Sequence, residues 1–217
     1  MTHYTDAQRE LQARFDSRKL ADALEASIVL EALTPTHAAF IAERDFFFLS
    51  TVSEEGEPTV SHKGGGVGTV TVIDDKTLCF PAYDGNGMFL SLGNIAATGK
   101  IGMLFIDFET PDRVRVQAQA RLIFEGPQID AYPGAIAVVE ASIDRVFINC
   151  ARYIHKYQRV ATSKHVPDDA GAQPLAAWKR IDGMQDVLPK RDQGRAAEEG
   201  GLISGHDYAR LLADGES

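Results

Sequence analysis

The chain has 217 residues, 44% of them hydrophobic, and a formal net charge of −9 with a pI near 5.1. That length allows one ordinary domain with peripheral additions, or two small ones, and the apolar content excludes a disordered or fibrous chain. The acidity comes with no basic stripe on any predicted element. It argues against duplex nucleic acid or an anionic membrane as main partner and is accounted for by solubility.

No run of about 18 apolar residues is present to form a membrane-spanning helix. The polar, mixed-charge start from Met1 to Phe15 lacks the apolar stretch of a secretory signal. Cys79 and Cys150 are the only cysteines, too few for a disulfide framework and too far apart for a zinc cluster. The expectation is a reducing, cytoplasmic setting without a metal site.

In chain order, Ala7, Leu11 and Phe15 recur at helical spacing, and Ser17 is placed to cap a second helix carrying Leu20, Leu24 and Ile28. Thr34-Pro35 starts a third, with Thr as N-cap and Pro at the first helical position. At Phe46 the texture changes. Phe46 to Val52 is aromatic and β-branched, Glu54 to Glu57 supplies a turn, and Thr59-Val60-Ser61 resumes a strand.

Val67 to Ile73 and Thr77 to Phe80 read as a hairpin around Asp74-Asp75-Lys76, and Ile101 to Phe108 as an apolar strand. From Arg113 to Phe124 polar and apolar residues alternate, broken only at Ile123, which predicts one buried and one wet face. Ala135 to Phe147 is a further strand. Between the hairpin and the long strands, Asn86 to Thr98 predicts a crossover helix with Met88, Leu92 and Ile95 on one face and Gly99 as its stop. Consecutive hairpins with few crossovers favour a closed or nearly closed antiparallel barrel.

The predicted organisation is a helical extension over 1–44, a barrel domain over 45–165 and a C-terminal extension over 166–217. The end beyond Pro189 is charged and glycine-bearing, the composition of a partly mobile segment.

Three segments carry candidate chemistry. In Ser61-His62-Lys63-Gly64-Gly65-Gly66 a lysine beside a glycine run lets an ammonium and backbone N–H groups approach an anion together, although such a sequence also ends many hairpins. The GxxxxGK[ST] order of a P-loop is absent. In Pro81 to Met88 a glycine-rich turn feeds the crossover helix, whose N-terminus favours phosphate, and Asn86 either caps that helix or touches a ligand. Asn149 to His155 mixes an amide, a thiol, a cation and a phenol. Cys150 there is either a nucleophile paired with His155 or, as a cysteine at a strand end more often is, inert and buried.

Taken together, Phe47-Phe48-Leu49-Ser50-Thr51-Val52, Ser61-His62-Lys63-Gly64-Gly65, Asp84 to Ile95 and Ile148 to His155 resemble the pyridoxamine 5′-phosphate oxidase-like family of FMN-binding split barrels. The resemblance runs from about Phe46 to Ile154. It implies a mainly β fold, a six-stranded antiparallel split barrel with helical additions, and a homodimer holding FMN between its subunits.

On the matched positions it implies that His62 and Lys63 meet the phosphate or ribityl chain and that Phe80 and Pro81 neighbour the ring. Asn86, Gly87 and Met88 then stand where the true oxidase carries Ser-Arg-Lys against the phosphate, and Asn149, Cys150 and Tyr153 lie near the isoalloxazine. Met88 in place of a cation shifts the phosphate charge onto Lys63, backbone N–H groups and the helix dipole.

The resemblance does not carry a substrate, because the C-terminal arginine motif that grips pyridoxamine phosphate has no counterpart in Leu188-Pro189-Lys190-Arg191. It leaves catalytic residues unassigned. The leading expectation is an FMN-dependent oxidoreductase of an unidentified small molecule. The alternatives are a flavin-binding or redox-sensing module without turnover, or the same barrel holding deazaflavin F420 or haem, for which His62, His155 and His165 would be the axial candidates.

Overall fold

The alternation after Asp112 becomes the central strand of a single antiparallel sheet. The computed structural model describes residues 3–216. Three helices come first: α1 (Asp6–Arg14), α2 (Arg18–Ile28) and α3 (Pro35–Ala42). Strands β1 (Phe46–Val52), β2 (Pro58–Gly64), β3 (Thr71–Val72) and β4 (Thr77–Ala82) follow, then helix α4 (Leu90–Thr98). The long strands are β5 (Lys100–Asp107), β6 (Asp112–Ile123) and, after the short α5 (Pro127–Asp130), β7 (Ala137–Ile148). Helices α6 (Arg195–Glu198) and α7 (Gly205–Asp214) lie near the C-terminus. The chain divides into two compact units after Ala161.

In the first unit the sheet order is β2-β1-β5-β6-β7-β4-β3, and every pair is antiparallel. The mainly β, antiparallel expectation holds, with two corrections. The ladder has seven strands rather than six, because the Val67–Ile73 stretch contributes a pair of its own. That pair is only Thr71 and Val72, since Gly68 turns the chain at φ 79° and Thr69 N–H bonds back to Gly66 O. The ladder also does not close: β2 and β3 are its two ends.

Period two decides which residues meet. On β6, Val114, Val116 and Ala118 are buried while Arg115, Gln117 and Gln119 are exposed. Their buried faces join Phe47 and Leu49 of β1, Met103 and Phe105 of β5, Val139, Ala141 and Val146 of β7, and Leu78 and Phe80 of β4 in one core. The Phe47 ring stands edge-on to Phe80 at 5.0 Å and lies 5.3 Å from Phe105, a geometry that aromatic quadrupoles favour. Ile41 of α3 and Ile95 of α4 seal the core against the sheet.

Thr34 caps α3 as expected: its hydroxyl accepts from His37 N–H, and His37 Nδ1 accepts from Thr34 N–H. Ser17, in contrast, makes no side-chain bond to α2. Buried His37 has its pKa held below the usual histidine value by desolvation, and protonation of Nδ1 would cancel the acceptor that α3 uses. The unfolded chain therefore binds this proton more readily. Stability from the site is complete above the ordinary value of about 6.5 and declines as pH falls through the lower folded-state value. Denaturant midpoints measured down this range are expected to fall less steeply for His37→Gln, which keeps an acceptor at the same helix position. Identical slopes would contradict the assignment.

In the second unit, a salt bridge of 2.8 Å joins the buried Lys179 and Asp192. A capping box formed by Ser204 and Asp207 starts α7. The stretch past Pro189 thus carries both α6 and α7.

Candidate functional site

The split in the ladder is where the chemistry collects. Strand β2 at one end and β4 next to the other, with the 83–92 segment across them, line a cavity of about 430 Å³, within the usual range for small-molecule sites. Seven of the ten residues expected at a cofactor site line it: His62, Lys63, Phe80, Pro81, Asn86, Gly87 and Met88.

Strand register explains how Lys63 gets there. Lys63 lies opposite Phe47 and Ser61 opposite Leu49, and directly paired residues share a face. Ser61 and Lys63 therefore project to the core side of an end strand, where they are half-buried. No hydrogen bond or ion pair holds the Lys63 ammonium among the described residues, and burial lowers its pKa. A desolvated cation without a hydrogen-bond or ion-pair partner is a standing cost that an anion would remove. His62 points the other way, its ring stacked on Phe46 at 5.3 Å on the outer face.

The glycine-rich turn differs from expectation. The crossover helix starts at Leu90 rather than Asn86, and its N-cap is Phe89, in the left-handed region at φ 53°. Asn86 does not cap it. The Asn86 side-chain oxygen instead accepts Met88 N–H at 3.0 Å, a local turn that competes with helix, while Gly87 at φ 77° completes the reversal. The first turn of α4 consequently has no side-chain cap, and Phe89 to Leu92 line the cavity. Gly99 ends the helix as expected, at φ 67° with its N–H on Ile95 O.

Two bonds fix α4 on β1: Asn94 donates to Thr51 Oγ1 and Thr98 to Val52 O, each at 3.0 Å. Buried Leu49, Phe80 and Pro81 give the cavity an apolar side, and burial raises the pKa of Tyr83.

Asn149, Cys150 and Tyr153 are not brought to this cavity within the subunit. They follow β7, where Arg113 donates to Cys150 O at 2.8 Å and the buried Asn149 Oδ1 finds no partner among the described residues. Cys150 is exposed rather than buried, and the Arg152 backbone N–H lowers its pKa most, with that side chain next. Tyr153 is 94% exposed, at φ 69°.

Ser61, Tyr83, Asp84 and Ser91 also line the cavity, and the sequence placed them inside candidate segments without giving any of them a role. Ser61 was recoverable, because it stands two residues before Lys63 on the same strand face. The others depend on where α4 starts.

Among solved structures the chain is similar to HupZ of Group A Streptococcus, with 21% identity over 58% of this chain and 99% of that one at a TM-score of 0.46. It is also similar to an FMN-binding protein of Syntrophomonas wolfei, with 14% identity over 65% and 96% at 0.39. A third is HutZ, a haem storage protein of Vibrio cholerae, with 15% identity over 54% and 94% at 0.41. The sequence matches no curated protein. The family model for pyridoxamine 5′-phosphate oxidase matches residues 33–166, which spans α3 through β7 and every lining residue of the cavity. By that match, over more than half its length, the chain belongs to the pyridoxamine 5′-phosphate oxidase family.

Proposed function

We propose that this protein binds FMN in the cavity at the split of the barrel and acts as an FMN-dependent oxidoreductase on a small molecule, as a cytoplasmic homodimer. The observation that carries the reading is the half-buried, unpaired Lys63 ammonium beside the uncapped first turn of α4. A cation and free N–H groups in one apolar-walled cavity suit a phosphate-bearing cofactor.

The residues present fit FMN by that chemistry. Lys63 would hold the phosphate charge, α4 N–H groups would share it, and Leu49, Phe80 and Pro81 would exclude water from the ring. Bound FMN would supply the redox chemistry, which the fold by itself does not.

The dimer reading is supported by what one subunit lacks. Asn149, Cys150 and Tyr153 match ring neighbours in the family, yet they are exposed or half-exposed and away from their own cavity. A second copy would give them a cavity to complete. Free thiols at Cys79 and Cys150 accord with a reducing compartment.

Sedimentation of the FMN-loaded protein, followed at the flavin absorbance, is expected to show the flavin travelling with a species of twice the chain mass. A monomer that carries flavin would remove the dimer from the reading. Anaerobic bleaching of the flavin band by a nicotinamide donor would support turnover. A flavin that no small-molecule donor reduces would favour the non-catalytic module.

A further inference from the structure

Lys63 is the one lysine or arginine among the residues lining the cavity, since the Asn86-Gly87-Met88 turn supplies none. A phosphate monoester carries about −1.5 to −2 charges at neutral pH and three strong acceptor oxygens. One ammonium leaves most of those oxygens unmet, so neutral donors must serve them.

Two hydroxyls are placed to do so. Ser61 projects from β2 on the same side as Lys63, and Ser91, in the first turn of α4, is 6% exposed. Their Oγ atoms lie 3.0 Å apart and both residues line the cavity. One proton between them satisfies the contact, which leaves the second hydroxyl proton free to donate. Asn94 and Thr98 fasten the other half of α4 to β1, whereas the serine pair joins its first turn to β2 at the cavity wall.

We infer that Ser61 and Ser91 are specificity-determining residues that, with Lys63, recognise the phosphate of FMN and so separate FMN from riboflavin. The inference rests on the flavin reading above and deepens it. The pair replaces the second cation as donor and makes the discrimination depend on neutral hydrogen bonds.

The test is equilibrium titration of the full chain with FMN and, separately, with riboflavin, followed by flavin fluorescence, for wild type, Ser61→Ala, Ser91→Ala and Ser61→Thr. Each alanine variant is expected to lose about tenfold in FMN affinity, the lower range for a bond to a charged group. Riboflavin affinity should stay within about twofold. Ser61→Thr keeps the hydroxyl on a strand that suits a β-branched residue and should retain FMN binding. Equal weakening of both flavins would show a structural role and overturn the inference, as would no change in either. Wild type binding riboflavin as tightly as FMN would overturn it while leaving the flavin reading intact. Wild type binding neither flavin would bring down both.

Discussion

Phe47→Ala is expected to cost about 3–5 kcal/mol of stability, the range for removing a fully buried phenyl ring. The ring is 1% exposed and packs against Phe80 and Phe105, so it joins β1, β4 and β5 at one point. Domains of this kind are stable by about 5–15 kcal/mol in total, so the variant keeps a small fraction of the reserve. Phe80 also lines the cavity, and losing the ring behind it should loosen the site before the fold is lost. Urea unfolding followed by far-UV circular dichroism measures this: the midpoint should fall sharply with little change in slope. A loss below about 1 kcal/mol would mean the site collapses around the gap and the packing account is wrong.

Lys63→Ala should act in the opposite sense on the two properties. FMN affinity is expected to fall by about 1.5–3 kcal/mol, roughly 10- to 150-fold, as for loss of a hydrogen bond to a charged group. The ligand-free protein should be no less stable, because the change removes a desolvated ammonium that holds no hydrogen bond or ion pair among the described residues. FMN affinity of wild type should also decline as pH rises through the lowered Lys63 pKa, before the ordinary lysine value of about 10.4 is reached. Titration calorimetry and thermal unfolding of the same samples separate the effects. Unchanged FMN affinity would remove Lys63 from the phosphate site.

Much of the fold was legible in the sequence, for physical reasons that differ by element. The alternation on β6 was read correctly because a strand with one wet face must alternate, and tertiary packing had nothing to override. The Thr34-Pro35 start of α3 and the Gly99 stop of α4 were readable because caps are local chemistry. The start of α4 was not. Asn86 looks like an N-cap, but its side chain closes a turn onto Met88 instead, and a phenylalanine in a left-handed conformation takes the cap position. Nothing in a run of residue types announces Phe89 there.

The count of six came from the resemblance, whereas the residues themselves offered seven strand segments, Val67 to Ile73 among them. What that run of β-branched residues hid was its paired length, because the turn at Gly68 leaves only Thr71 and Val72 in the ladder.

At the site, Lys63 was legible from its glycine neighbours, and its setting was not. Its half-burial follows from pairing opposite Phe47 at a sheet end, which is a matter of register. The Ser61–Ser91 contact joins residues 30 apart in the chain and depends on where α4 begins. Residues 149–153 were legible as a cluster of reactive types, and their place outside their own subunit's cavity was not.

The most direct test of FMN binding is the absorbance spectrum of the purified protein, with mass identification of whatever chromophore is released on denaturation. The account predicts flavin bands and released FMN, or flavin bands that appear when FMN is added to colourless protein. A protein that stays colourless after added FMN, or one that releases haem or F420 instead, would contradict it.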